Sequence, residues 1–469
     1  MRRLSVALTV AVLSVTACTG GGDTSGATSA PTDGRPFVVD TDGGSDDLMA
    51  LLFLLQRPDV RIAAITVSGT GLVHCEPGVH NVLALLEVAQ APDIPVSCGP
   101  ETPLPSNHPY PGAFPAPWRL ASDDAYGIAL PPTDREPDER PAPQLLAEAV
   151  AGAGDPVTLL TLGPLTNVAL ALQTDPGLVD HLDGVVVMGG AVDVPGNVLR
   201  NAVAEWNIWV DPRAANILLS SGASVWLVGL DATNGVPITP YFAEALAAHH
   251  VTPEADTVQA LFDAQPHLVD GESFFWDPLA AALAADPTLG AVERRRLVVL
   301  EGSTETLGQT AEDPAGTEVQ VYSGASATEF ERVFLNTLNG DEAVISTRPK
   351  PDASVDFRGA ACTYEGPTSF SPGPIDVVIS NSSNAELEVA VVELAGGATI
   401  HELRAFIDRA EPGIETPRYV GLVAAGSVPS GEIATFLRAE LPLGTLAVVC
   451  LTEDPFVMDL ATGLEVVAP

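Results

Sequence analysis

Lysine is almost missing from this 469-residue chain. Lys350 is the only one, so any chemistry that needs a catalytic lysine has a single residue to draw on. Basic residues are scarce as a whole, 21 Lys and Arg against 61 Asp and Glu, and the formal net charge is −40. Such a surface repels phosphate backbones and anionic headgroups, which excludes nucleic-acid binding through a basic face. Aromatic residues make up 5% of the chain, and there are five cysteines, none at the C-x2-C spacing of a zinc site. The apolar run from Leu4 to Val15 falls short of the roughly 20 residues that a membrane-spanning helix needs. What is present, 46% hydrophobic and 17% charged residues, describes a globular chain, and the length suggests two or three domains.

The first residues read as an export signal. Arg2 and Arg3 precede the apolar run, which ends in Val15-Thr16-Ala17-Cys18, the pattern of a secretory signal with a small residue before the cut. The last four residues resemble the lipobox of bacterial lipoproteins, which implies a signal peptide over 1–17 and lipidation of Cys18. The Gly/Ser/Thr/Pro-rich stretch that follows predicts a flexible tether over 18–36. The expectation is an exported protein, lipid-anchored to the outer face of the bacterial cell membrane and touching it only through that anchor. One anchor cysteine leaves four in an oxidising compartment; Cys75 and Cys98 are close in sequence and Cys362 and Cys450 both lie in the C-terminal part, which suggests these two pairs.

From Phe37 to about Lys350, short β-branched runs alternate with longer apolar-periodic segments, which indicates βαβ units and a mostly parallel sheet flanked by helices. Ligands of such sheets bind beyond the carboxyl ends of the strands. From 351 to 469 short strands separated by Gly/Pro/Ser/Asn turns predict an antiparallel β-sandwich. The fold class expected is therefore α/β with a C-terminal β-sandwich as a separate domain.

The densest chemistry follows the first strand. Asp40-Thr41-Asp42-Gly43-Gly44-Ser45-Asp46-Asp47 places four carboxylates within eight residues, and like charges this close are tolerable mainly around a cation. Oxygen donors point to Ca2+ or Mg2+, whereas helix capping accounts for only one or two of the four. An EF-hand loop fails because its twelfth position is Leu51, where a Glu is required. A strand-DxDG phosphatase of the haloacid dehalogenase type would need a downstream lysine, and Lys350 lies beyond the α/β part.

The ordered blocks DTDGGSDD, AITVSGTG, LGPLTNVALAL, VVVMGGAV with AEWNIWVDPRAA, and WDPLAAAL resemble the inosine-uridine-preferring nucleoside hydrolase family, from about Phe37 to Asn339. The resemblance implies Ca2+-dependent hydrolysis of the N-glycosidic bond of ribonucleosides. Asp42, Asp47 and Asp277 match the metal-binding carboxylates, with the backbone carbonyl of Leu162 as a further ligand. Asp42 also matches the base that activates the attacking water. Asp46 matches the residue that grips the ribose hydroxyls, and Asn197, Glu205 and Asn207 match the ribose clamp. The gap from Asn197 to Glu205 is about two residues longer than usual in the family. Asp40 stands behind the ligands.

Departures from the family pattern decide the subclass. The pyrimidine-accepting branch commonly has a His before the last Asp, and here that position is Trp276. The motif resembles the purine-preferring branch, in which an aromatic ring stacks on the departing base. Ala113-Phe114-Pro115-Ala116-Pro117-Trp118-Arg119 resembles the aromatic loop of that branch and makes Trp118 a second stacking candidate. Thr70 stands where the family often has Asn or Asp. His74, His80 and His108 read as surface or packing residues. The C-terminal part resembles a cupredoxin-like fold, but no His follows Cys450 and His401 is the only one there, so copper is not expected. The alternative function is a catalytically weak, surface nucleoside-binding lipoprotein; homo-oligomerisation is left open.

Overall fold

The computed structural model describes residues 34–468 except 106–115, 199–200, 270, 272, 303, 341–350, 429–432 and 454. The expected signal peptide, Cys18, the expected tether up to residue 33, His108, Ala113 to Pro115 and Lys350 lie outside the described residues.

The first strand, β1 (Arg35–Thr41), is buried from Pro36 onward, so it needs a neighbour on each edge and cover on each face. It pairs in parallel with β2 (Val60–Val67) on one side and β4 (Val157–Thr161) on the other. β3 (Val96–Cys98), β5 (Leu182–Met188), β6 (Val225–Val228), β7 (Gly290–Val299), β8 (Thr310–Glu312) and β9 (Thr317–Ala325) complete a sheet of order β3-β2-β1-β4-β5-β6-β9-β7-β8. All pairings from β3 to β9 are parallel, and β7 runs antiparallel to both β9 and β8. The mostly parallel sheet read from the sequence is present; its antiparallel edge was not anticipated. Strand order reverses direction at β1 and β4, and a crevice opens at such a point beyond the strand ends.

Helices α1 (Ser45–Leu55), α2 (Cys75–Val88), α3 (Ala116–Asp123), α4 (Thr166–Thr174), α5 (Trp206–Val210), α6 (Pro240–Ala248) and α7 (Trp276–Ala285) carry the side chains discussed below. α1 buries every residue from Asp47 to Leu54 because it lies against the sheet and α7 together. A helix apolar on all sides is stable only in such a position. One core cluster includes Phe53, Phe242, Phe275 and Phe334; a second includes Leu159, Leu172 and Val185. The expected Cys75–Cys98 disulfide is formed and ties the start of α2 to the end of β3.

Beyond residue 350 the chain forms two further sheets. One has the order β11-β10-β13-β16, from β10 (Ala353–Phe357), β11 (Cys362–Glu365), β13 (Gly373–Asn381) and β16 (Ile433–Leu441). The other has the order β12-β18-β17-β14-β15, from β12 (Ser369–Phe370), β14 (Leu387–Leu394), β15 (Val420–Val428), β17 (Gly444–Glu453) and β18 (Phe456–Val466). The expected Cys362–Cys450 disulfide joins β11 of one sheet to β17 of the other. The pairings are mostly antiparallel, as expected; two, β10 with β13 and β12 with β18, are parallel. The sequence reading also passed over helix α8 (Ile400–Ile407). Its start carries a Thr-x-x-Glu signal: Thr399 Oγ1 accepts from the Glu402 amide at 3.3 Å, and Glu402 accepts from the Thr399 amide at 2.8 Å.

Candidate active site

The acidic turn leaves β1 at the crevice and enters α1. Asp47, 1% exposed, is fixed by three donors. Its Oδ1 accepts from the Asp42 amide at 2.9 Å and from the Thr41 hydroxyl, and its Oδ2 accepts from the Gly44 amide at 2.9 Å. Asp42 lies in a slot that only glycines leave open. A Cβ at Gly71 would stand 2.1 Å from Asp42 Oδ2, and one at Gly163 would stand 2.6 Å from Asp42 Cβ. Asp277 enters from the first turn of α7 and is 2% exposed.

Carboxylate oxygens of Asp46, Asp47 and Asp277 all lie within 4.8 Å of one another. The tightest trio thus contains Asp46, the expected ribose contact, while Asp42 stands beside it with its Oδ2 3.3 Å from the Leu72 amide. Burial, then the charge of Asp47, pushes the Asp42 carboxyl well above the usual range. Burial, then the charges of Asp46 and Asp47, does the same to Asp277. Asp46 is pushed up to about 7 by burial and by Asp47. Asp40 is also pushed up to about 7, by burial against the opposing hydrogen bonds from Asn167 (2.8 Å) and Thr66 (2.6 Å). A cluster under this strain is relieved by protons or by a cation, and its donors are all oxygen, the set that hard divalent ions take.

The next strand ends supply the rest. Leu162 follows β4, donates its amide to Asp40 O at 2.8 Å, and accepts from Asn207 Nδ2 at 2.8 Å through its own carbonyl. Glu205 caps α5: its carboxylate accepts from the amides of Asn207 (2.8 Å), Gly190 (3.0 Å) and Ile208 (3.1 Å). Burial pushes its pKa up, against those three bonds. Leu162, Glu205 and Asn207 are therefore brought together, but Asn197 is exposed in the loop before 199–200. Thr70 is buried and donates to Pro100 O at 3.0 Å.

Of the aromatic candidates, Trp276 is half-buried, 5.8 Å from Phe274 between ring centroids, and its Nε1 is buried with no hydrogen-bond partner among the described residues. Trp118 sits on a helix, α3, and not on the loop expected, because the chain is already helical from Ala116. It is 47% exposed and its ring centroid lies 5.6 Å from that of Trp206, which in turn lies 5.5 Å from Trp209. His74, read as surface or packing, has a specific partner: its Nδ1 is 2.7 Å from Asp123 Oδ2 and its amide donates to Asp123 Oδ1 at 2.8 Å. His80 is exposed.

Tyr126 is the residue sequence reasoning missed. Its φ is 58°, after Ala125 at 44°, a conformation that costs a non-glycine residue on the order of 1–3 kcal/mol and gathers at functional sites. Its hydroxyl is 2.7 Å from Ser122 Oγ. Burial raises its pKa, and the charges of Asp46, Asp42 and Asp47 raise it further, so the phenol lies within their field. Nothing in the local sequence beyond Gly127 signals this turn.

A mostly parallel sheet with buried carboxylates at its switch point places them where α/β proteins of this class bind their ligands. The model of the inosine-uridine preferring nucleoside hydrolases matches residues 37–334, and the chain belongs to that family. Uridine nucleosidase 1 of Arabidopsis thaliana is 36% identical over 204 residues, 43% of this chain and 58% of the plant protein, so less than two thirds of that relative is covered. The pyrimidine-specific ribonucleoside hydrolase RihA of Photobacterium profundum is 31% identical over 290 residues, 60% of this chain and 89% of that one. Among solved structures, the purine-preferring ribonucleoside hydrolase from Gardnerella vaginalis superposes with a TM-score of 0.56 at 29% identity, covering 65% of this chain and 98% of that one.

Proposed function

We propose that this chain hydrolyses the N-glycosidic bond of ribonucleosides, purines before pyrimidines, releasing base and ribose. The observation that carries the reading is the convergence of Asp46, Asp47 and Asp277 within 4.8 Å at the switch point of a nucleoside hydrolase sheet. Asp42, Asp47, Asp277 and the Leu162 carbonyl would hold a Ca2+ ion, which when bound supplies Lewis acidity and lowers the pKa of water beside it.

The chain's own groups divide the remaining work. Asp42 accepts a proton from the attacking water as its oxygen bonds to C1′ of the ribose and the C1′–N bond breaks toward the base. The base leaves with the electron pair and takes up a proton. Asp46 faces the ribose hydroxyls and, as a carboxylate, stabilises positive charge developing on the sugar. Asn207 borders the ribose side, and Glu205 holds it there by accepting from the Asn207 and Ile208 amides; Asn197, in an exposed loop, stands apart from them. Trp276 stacks on the departing base; with no His at that position a pyrimidine lacks a proton donor there. The names of relatives divide between pyrimidine-specific and purine-preferring enzymes, so Trp276 and Trp118 carry the purine assignment.

Around this core we place a signal peptide over 1–17, a tether over 18–36 anchored through lipid at Cys18, a catalytic domain over 37–350 and an accessory β-sandwich over 351–469. Replacing Cys18 with Ser is expected to abolish lipid labelling; labelling as in the wild type would remove the anchor. The exposed Asn197, together with Thr70 where the family often has Asn or Asp, favours a weak or binding-only protein. Release of base and reducing sugar from inosine, guanosine, uridine and cytidine decides between the two. Turnover of inosine and guanosine ahead of uridine and cytidine supports the enzyme, and binding without release supports the alternative.

A further inference from the structure

The C-terminal β region takes no part in the reaction above, yet a set of polar side chains, Asp376 and Tyr241 buried and Arg438 part-buried, fastens it to the hydrolase part. Asp376 on β13 stands directly opposite Arg438 on β16. Its neighbours Ile375 and Val377 face the β core, so Asp376 points outward from the sheet, and there it is only 7% exposed. Arg438 donates to it through Nε at 2.8 Å and Nη2 at 3.2 Å, and the Tyr241 hydroxyl donates to the same carboxylate. The other guanidinium nitrogen pairs with Glu244, and the guanidinium carbon lies 4.8 Å from the centroid of the Tyr241 ring. Tyr241 and Glu244 are three apart on α6, so both project from one face of it. A buried ion pair is often no more stabilising than apolar packing, but removing one partner leaves the other charge buried and unpaired.

α6 in turn reaches the carboxylates without a break. The segment entering it is bonded to the segment entering α7: Ile238 donates to Ser273 O at 2.9 Å and Phe275 donates to Val236 O at 3.0 Å. Phe242 of α6 packs edge-on against Phe275 with centroids 4.7 Å apart, both rings buried. Trp276 and Asp277 come next in the chain, Asp277 in the first turn of α7.

We propose that the C-terminal β region is a positioning element for the carboxylate centre. The Asp376–Arg438 clasp fixes α6, and α6 fixes residues 273–277 so that Asp277 meets Asp46 and Asp47. The inference rests on the reading of Asp42, Asp47 and Asp277 as a calcium site, with Asp46 beside it, and Arg438 is its positioning residue.

Calcium affinity of the full chain, measured by titration calorimetry, tests it apart from activity. Arg438→Met is expected to weaken binding about three- to tenfold, within the roughly two- to thirtyfold range of coupling through packed networks. Arg438→Lys restores part of the loss, because it keeps a charge between Asp376 and Glu244. Tyr241→Phe, which removes one hydroxyl, gives a smaller loss and decides the matter alone if Arg438→Met fails to fold by near-ultraviolet circular dichroism. Arg358→Ala, at an exposed pair with Asp356 on the same region, binds as the wild type. Folded variants that melt earlier yet bind calcium with wild-type affinity would show a merely structural clasp and overturn the proposal. Failure of the wild type itself to bind calcium overturns the reading of the site beneath it.

Discussion

Asp47→Asn separates the two tasks of the most constrained carboxylate. Asp47 takes two backbone amides at 2.9 Å and the Thr41 hydroxyl, and asparagine keeps its shape but turns an NH2 toward one of those donors. Leaving a buried amide unsatisfied costs about 1–3 kcal/mol. Against this, the substitution removes one charge from a cluster in which Asp42 and Asp277 are already forced upward by that same neighbour. In chelator the two effects oppose each other, and the net change in stability is expected to stay near about 1 kcal/mol. Calcium makes the contrast. At one hundred times its dissociation constant a ligand stabilises the folded state by about 2.7 kcal/mol. At roughly 2–4 °C per kcal/mol for a large domain, that raises the melting temperature by about 5–10 °C. Scanning calorimetry in chelator and in excess calcium is expected to show that rise for the wild type and none for Asp47→Asn. The same calcium-induced rise in both proteins, or none in the wild type, would refute the reasoning.

Trp276→Ala should lower purine turnover by more than it weakens purine binding, by about 1–2 kcal/mol or roughly tenfold in rate; steady-state kinetics on inosine check this, and unchanged turnover would remove the purine assignment. Replacing Cys362 and Cys450 with Ala opens a loop of 88 residues, and the chain-entropy model gives a loss of about 4–5 kcal/mol from the C-terminal β region, read by denaturant unfolding with and without reductant. Burial pushes the Asp376 carboxyl up, but the bonds from Arg438 and Tyr241 and the charge of Arg438 outweigh it, so its pKa is lowered. A lowered carboxylate stabilises the fold above its unfolded pKa, and that contribution is lost as pH falls through the folded value. Acid below about pH 4 is therefore expected to loosen the clasp in the wild type and to have less effect on Asp376→Asn, as followed by thermal unfolding across pH.

Much of the site was legible because its geometry is local. A buried strand, an acidic turn and a helix are contiguous in Val38 to Leu55, and crowding four carboxylates there, three of them buried, has few physical solutions. Both disulfides could be read from parity, with closeness in sequence giving one pair and a shared place in the C-terminal part the other. Contacts made across the chain were less legible. Glu205 reads as a substrate ligand, yet its oxygens are engaged by the amides that open α5, which no pattern of spacing reveals. Trp118 appears as part of a loop because Pro115 and Pro117 mask the start of a helix. The pairing of His74 with Asp123, 49 residues apart, and the left-handed turn at Tyr126 depend on tertiary packing. So does α6: its Tyr241 and Glu244 are ordinary surface residues until β13 and β16 are placed against them.

The central claim is that these carboxylates hold a cation and activate water for glycosidic cleavage. Its most direct measurement is inosine hydrolysis by the wild type and by Asp42→Ala, each with chelator and again after calcium is restored. The account predicts that chelation abolishes wild-type turnover, that calcium restores it, and that Asp42→Ala stays slower by about a thousandfold or more under both conditions. Turnover that ignores the chelator, or an Asp42→Ala protein working near the wild-type rate, would contradict it.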